Sequence, residues 1–528
     1  MLERLVENWL TKVNEKSFQV PFCQMLTAEG YRVVHLTRHG SFEEGKDILA
    51  IAPDGVPCAF QLKGSSGKIT QRKWAQYIDQ VNRLVEIPIK HPSINETQPR
   101  RVYFVTNAEF EEEVRVEISN RNADWRQRGH PELNTIVKGE LLSRFTAIHD
   151  KLWPLPIVSE RVLLELYLSD GTGYLDKPKF ASFLEDLLFN TSGNTKAEIA
   201  RNLAGLAIFT AYLLTPFSIL DNHVALIEGW MIYLACLIAY AEKTGSSERK
   251  WGDSFTLATY AVETSLSDLC KELKEAKHYV PGNPLVDAPF YRGRLTWLVS
   301  LTCVYILWEK RRKNQLKLNA WEKNFILTNL GRLQLWGEAA VPQFLAIIWC
   351  LGSMGVGHLG DQLLFEVLKA IVEMNFTGQG ISDPYHPLGE VIMTKIGFAN
   401  VLQRENFKGR TYTLFTLIQL IVRRGWRGAL SELWKPITYQ HFVEFEPQIT
   451  WQYCLWHLDN GTLHDSAPNS TQSWSELQEF SLKVDLSKLP RIFQANPDLL
   501  LLFLIVYPHR IRPDVVKFLD DVYQQIGI

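Results

Sequence analysis

Hydrophobic and polar positions along this 528-residue chain follow two successive rhythms. Up to about residue 152, short runs rich in β-branched and aromatic residues alternate with amphipathic stretches. Residues 2–10 read as a short amphipathic helix. Residues 17–29 read as a second, with Phe18, Phe22, Met25 and Leu26 on one stripe. Gly30 can cap that helix, and residues 31–36 then read as a strand. Residues 47–52 and 56–62 predict two more strands, joined by Pro53-Asp54-Gly55. A helix is predicted over 70–84, a buried strand over 101–106 (RVYFVT) and a helix over 109–120. A short run at 135–138 and a closing helix over 140–145 complete this part. Interleaved strands and helices predict an α/β or α+β sandwich rather than a bundle.

Beyond Trp153-Pro154-Leu155-Pro156 the rhythm becomes helical and leucine-rich. The two prolines disfavour helix and suit a linker. Helices are predicted over 159–168, 179–189, 196–214, 225–243, 255–277, 360–374 and 411–424. No fixed repeat period emerges, so an irregular helical array is expected. Between 438 and 484 the stretch WQYCLWHLDNGTLHD breaks the helical rhythm and suggests a mixed segment. The expected organisation is an α/β domain over 1–152 and a large mostly α-helical domain over 157–528, subdivided near 438. Apolar stretches at 204–220, 223–241, 295–308 and 341–357 raise the question of membrane spans. Pro216 interrupts the first, Glu228 lies in the second and the third is too short. The fourth has Gln343 near one end and a glycine-rich tail. All four read as buried helices, and no membrane association is expected.

Composition narrows the function classes. Hydrophobic residues at 46% and charged residues at 22% are the balance of a folded protein, which excludes disordered, collagen-like and disulfide-rich chains. The net charge of -2 provides no global positive field, so nucleic-acid binding would need a local patch. Cysteines 23, 58, 236, 270, 303, 350 and 454 form no Cys-x-x-Cys pair. They read as buried thiols in a reducing cytoplasm. The acidic start, MLERLVENWLTKVNEK, reads as neither signal nor transit peptide. No GxxxxGK[ST] phosphate loop occurs, so the chain is not expected to power translocation.

The candidate chemistry lies between Gly45 and Lys63. Gln61 and Lys63 are two apart and leave the same face of a strand. If Pro53-Asp54-Gly55 is a three-residue loop, Asp47 lies opposite Gln61 and all three side chains converge. A two-residue Asp54-Gly55 turn puts Asp47 opposite Leu62 and scatters them. Pro-Asp-Gly suits the three-residue loop, and a bulge near Gly45 could also restore the register. Phosphodiester cleavage needs an activated water and relief of negative charge. A carboxylate and an amide oxygen are hard ligands suited to Mg²⁺ (or Mn²⁺). A neighbouring ammonium can stabilise the pentavalent transition state. Asp47, Gln61 and Lys63 are therefore the candidate catalytic residues, with Asp47 and Gln61 as metal ligands.

These residues resemble the Mrr-type branch of the restriction-endonuclease-like nucleases, whose signature is Asp…(Glu or Gln)-x-Lys. The resemblance covers roughly residues 14 to 145. Phe18, Leu26, Gly30 and Tyr31 match the spacing of that branch's preceding helix. VYFVTN (102–107) resembles its hydrophobic strand, and Glu140-Leu141-Leu142 its closing helix. The resemblance implies a mixed central sheet flanked by helices, and a metal-dependent DNA endonuclease of bacterial restriction or anti-phage defence. In that family a Glu often follows the Phe. Here the residue is Gln19, and Glu15, one turn earlier on the same face, could serve as a metal ligand instead.

Lys68, Arg72 and Lys73, with Trp74 beside them, form a candidate nucleic-acid-binding patch next to the site. Its competitor is an ordinary charged helix face. Lys310-Arg311-Arg312-Lys313 reads as a cationic helix end. Arg423, Arg424 and Arg427 around Trp426 could face DNA or a partner. His35 and His39 flank the first strand and could touch substrate. The helical region would then act as sensor, homo-oligomerisation platform or dock for another protein. The alternative is a catalytically degenerate nuclease-like scaffold, which the two glutamines favour. Replacing Asp47 or Lys63 by Ala is expected to abolish cleavage with the fold intact.

Overall fold

The computed structural model describes residues 2–36, 45–96, 98–149, 157–190, 196–276, 288–313, 320–376, 388–395, 409–456, 461–466 and 472–525. His39 and the expected linker at 153–156 lie outside the described residues. The chain divides into two compact units, Met1–Val262 and Glu263–Ile528. The change of rhythm near residue 153 therefore falls inside the first unit.

The first unit opens with helices α1 (Leu2–Lys12) and α2 (Glu15–Ala28). Strands β1 (Arg32–Leu36), β2 (Ile48–Ile51) and β3 (Pro57–Lys63) follow, then α3 (Gln71–Glu86) and β4 (Arg101–Thr106). Helix α4 (Glu112–Gln127), β5 (Leu133–Ile136) and α5 (Lys138–His149) complete the α/β part. The five strands form one sheet in the order β1-β2-β3-β4-β5. The β1–β2 and β2–β3 pairs are antiparallel, whereas β3–β4 and β4–β5 are parallel. The expected mixed sheet near the N-terminus is thus present, followed by a long helical region.

Strand alternation sends the two faces of the sheet to different helices. Leu49, Ala59, Val102, Phe104 and Leu133 pack with Trp74, Val81, Leu84 and Val85 of α3 and with Val114, Ile118 and Trp125 of α4. On the opposite face, Phe60 meets Phe22 of α2 at 5.5 Å and stacks on Tyr103 at 4.8 Å.

Helices α6 (Ile157–Tyr167), α7 (Lys177–Asn190), α8 (Lys196–Ile219) and α9 (His223–Thr244) belong to the same unit, which α10 (Gly252–Glu275) enters. Helix α8 packs along α2 and also touches α1 and α5. Tyr212 lies 4.7 Å from the Trp9 ring, and the Ser17 and Ser218 hydroxyls are bonded. At the start of α10, Ser254 exchanges two hydrogen bonds with Gln24 of α2, at 2.9 and 3.2 Å. Among the described residues, two helical segments, Glu198–Ile219 and His223–Thr244, are long and apolar enough to cross a membrane, and 83% of the apolar 18-residue stretch in each is buried inside the protein. Glu228, the acid in the second, is paired with Lys177 at 3.0 Å. All seven cysteines are buried free thiols, and burial pushes the Cys58 thiol up to about 11.

Among its described residues the second unit is helical apart from a three-stranded sheet of β6 (Arg410–Thr411), β7 (His441–Pro447) and β8 (Gly461–Ser466). Strands β7 and β8 account for the broken rhythm after residue 438. Glu338, in a short turn at Glu338–Ala340, ties three segments together. One carboxylate oxygen accepts from Asn375 Nδ2 at 2.9 Å. The other accepts from Thr411 Oγ1, Tyr412 N, Thr413 N and Thr413 Oγ1, at 2.9 to 3.1 Å.

Burial raises the Glu338 carboxyl above its ordinary value of 4.5, against the lowering effect of its hydrogen bonds. The folded chain therefore binds this proton more tightly than the unfolded chain. Its contribution to stability is full below the ordinary value and is lost as pH rises through the raised one. Glu338→Ala should lower the unfolding free energy by about 3 kcal/mol, because several buried donors lose their acceptor. Glu338→Gln should cost less and should remove this pH dependence, as followed by urea denaturation between about pH 4 and about pH 7.

Candidate active site

The hairpin joining β2 to β3 adopts the three-residue loop. Ala52 N donates to Val56 O at 2.9 Å, Gly55 N donates to Ala52 O at 2.8 Å, and Gly55 has φ 84°. Ile48 pairs with Phe60 and Leu49 with Ala59. That register places Asp47 opposite Gln61, and Asp47 N donates to Phe60 O at 2.9 Å. The register therefore comes from the loop. Gly45 plays another part: it passes so close to α3 that a Cβ there would lie 2.4 Å from Gln80 O.

The convergence expected of Asp47 and Gln61 is present. Asp47 Oδ2 accepts from Gln61 Nε2 at 2.8 Å and from Leu62 N at 2.6 Å. Both residues lie on the sheet face covered by α3, and they are 5% and 3% exposed. Gln61 is in register with Phe104, whose ring meets Trp74 of α3 at 5.3 Å. Gln61 Oε1 is buried and has no hydrogen-bond partner among the described residues.

Lys63 closes β3 on the same face and reaches the rim. Its Nζ lies 3.1 Å from Glu15 Oε1 and 6.0 Å from the centre of the Tyr77 ring. Glu15, expected as a metal ligand, is paired with Lys63. Gln19 is buried, and its Nε2 has no partner among the described residues. Asn14 caps α2 by accepting from Ser17 N at 2.8 Å. Gly64 lies directly against the start of that helix, where a Cβ would come 2.9 Å from Glu15 N.

In the sequence, Asn107 is marked only as the last residue of VYFVTN. Its Oδ1 accepts from Ser65 N at 2.8 Å. Its Nδ2 donates to Leu10 O at 2.8 Å and to Val13 O at 3.2 Å. A polar residue directly after a buried parallel strand was the only available signal, and it is a common one.

The donor types suit a divalent ion, and both side chains are almost wholly buried. Asp47 supplies a carboxylate, and Gln61 an amide oxygen that is buried and unmet, both hard ligands. No group of three or more His, Cys, Asp or Glu side chains able to hold a metal occurs among the described residues. Comparison of the chain with family models, curated proteins and solved structures finds no match.

The basic patch is only partly realised. Trp74 is a core residue, in contact with Phe104 and Phe110. Lys73 Nζ turns back to Ser65 Oγ at 2.9 Å and Ser66 O at 3.4 Å. Lys68 is exposed but shares a pocket with Glu111, Glu112 and Glu113, while Arg72 is exposed. In the second unit, Arg423 and Arg424 are bound to Asp520, which is fully buried, so neither is a free cation for DNA. Lys310, Arg311 and Arg312 donate to Ser353 O, Asp498 and Glu263, all on other elements. His35 lies 5.9 Å from His91, ring centre to ring centre.

These bonds change the expectation for Asp47→Ala. Its carboxylate satisfies the buried Leu62 N–H, so the Ala variant should lose about 2 kcal/mol of stability. Asp47→Asn keeps an acceptor for Leu62 N, and the Gln61 amide can turn to present Oε1. It should therefore cost less than the Ala variant. Urea denaturation of both variants checks the order, and equal losses would contradict it.

Proposed function

We propose that the first unit carries a restriction-endonuclease-like nuclease site that hydrolyses DNA phosphodiester bonds with a divalent cation. On this reading the protein works in the cytoplasm, in restriction or anti-phage defence. The helical remainder regulates the site or recruits it, as a homo-oligomer or with another protein. One observation carries the reading: Asp47, Gln61 and Lys63 share a face at the end of β3. This strand pairs antiparallel on one side and parallel on the other. Open α/β sheets bind ligands beyond the carboxyl ends of their strands.

Asp47 and Gln61 would hold Mg²⁺ or Mn²⁺, which when bound acidifies a water and offsets phosphate charge. The chain's own residues supply the rest. Lys63 brings an ammonium to the rim, where it can stabilise charge gathering on the phosphate oxygens. Glu15 orients that ammonium. Helix α3 packs over the sheet face that carries Asp47 and Gln61, and their low exposure strengthens any charge interaction there.

A second reading is favoured by the same bonds. Asp47 Oδ2 already has two donors, and Asp47 and Gln61 are nearly inaccessible. A nuclease-like scaffold that uses Asp47 to pin its hairpin would look the same. Two measurements separate the readings. Isothermal titration with Mn²⁺ should give binding heat that Asp47→Asn abolishes. Plasmid cleavage with Mg²⁺ or Mn²⁺ should fall at least ~100-fold in Lys63→Ala. No heat and no cleavage by the full chain would leave the scaffold.

A further inference from the structure

We propose that Asn107 is the positioning residue for the Lys63–Glu15 pair, joining the two chain segments that carry its partners. The catalytic consequence rests on the nuclease reading above, whereas the geometry does not.

Lys63 ends β3 and Glu15 begins α2, so neither element by itself fixes the distance between them. The Asn107 side chain spans the gap. Its Oδ1 accepts from the amide of Ser65, two residues beyond Lys63. Its Nδ2 donates to the carbonyl of Val13, two residues before Glu15, and to that of Leu10 in the last turn of α1. A last-turn carbonyl has no partner within its own helix, so the second donation also satisfies α1. Asn107 itself is anchored because Thr106 pairs in register with Lys63. The three bonds use both donors and the carbonyl of one buried amide. The two segments also approach closely at Gly64, where a Cβ would come 2.9 Å from Glu15 N.

An amide suits this place for a chemical reason. Aspartate would keep the bond from Ser65 but would turn a carboxylate toward two carbonyl oxygens. Alanine would lose all three bonds, and with them the polar bridge from the loop after β3 to α1 and the start of α2.

The experiment uses the full chain and reads the reactivity of the Lys63 amine. Limited acetylation with acetic anhydride, quantified by mass spectrometry, is compared among wild type, Asn107→Ala, Asn107→Asp and Glu15→Gln. Exposed Lys68 serves as internal reference. Glu15→Gln removes the ion pair directly and sets the upper value. Asn107→Ala should raise Lys63 acetylation several-fold toward that value while Lys68 stays constant. Asn107→Asp should fall between wild type and Asn107→Ala. Wild-type Lys63 reactivity in a folded Asn107→Ala protein would reduce Asn107 to a cap for α1 and overturn the proposal. Should the Ala variant fail to fold, the Asp variant decides, and wild-type reactivity there overturns it equally. If the wild type cleaves DNA with Mn²⁺, Asn107→Ala should lower kcat about tenfold with KM little changed. Absence of cleavage by the wild type would count against the nuclease reading and leave the acetylation result to decide the role of Asn107.

Discussion

A β-hairpin offers its polar residues only two arrangements, because each one-residue slip turns every side chain to the other face. The candidate site depends on which arrangement the Pro53-Asp54-Gly55 loop selects. Gly55 takes the left-handed conformation that closes a three-residue loop, and Ala52 then bonds Val56. From that point the pairing is determined back to Asp47, which meets Gln61. A slip would put Asp47 opposite Leu62, and the carboxylate would no longer share a face with Gln61 and Lys63. The aromatic core would be disturbed by the same move, since Phe60 packs on Phe22 and Tyr103 across the opposite face. Core and site therefore enforce one register.

Burial gives the site its tension. Helix α3 covers Asp47 and Gln61, and a buried carboxylate must find donors. It finds them in Leu62 N and the Gln61 amide. That solution leaves Gln61 Oε1 unmet, an uncommon state for a buried polar atom. A hard cation is one partner that would resolve it. The pair at the rim is arranged differently. Lys63 and Glu15 come from separate elements and are brought together by tight backbone contacts at Gly64 and by the Asn107 amide.

Beyond the sheet, packing redraws the organisation suggested by rhythm alone. Helix α8 lies along α2, so helices α6 to α9 belong with the sheet in the first unit. The apolar length of α8 and α9 follows from this: a helix surrounded by neighbours is hydrophobic on all sides. In the second unit the charged residues that looked available for nucleic acid are mostly committed internally. Asp520 takes Arg423 and Arg424, and Glu338 gathers donors from segments far apart in sequence.

Much of the local structure was legible from residue order. The period of the apolar positions located α2, α3, β4 and the long helices, because each buries one face and period follows geometry. The Pro-Asp-Gly triplet carried the hairpin register, since its conformational preferences act over only a few bonds. It thereby carried the meeting of Asp47 with Gln61. The tertiary structure alone decided that Glu15 pairs with Lys63, that Trp74 is core, that Lys73 turns back to Ser65 and that Asn107 bridges α1 to the loop after β3. Except for the Lys73 bond, which spans eight residues, each of these depends on two segments remote in sequence arriving at one place. Short-range preference encodes how a segment folds, but the partner of a charged or polar side chain is set by which segments packing brings within about 3 Å of it.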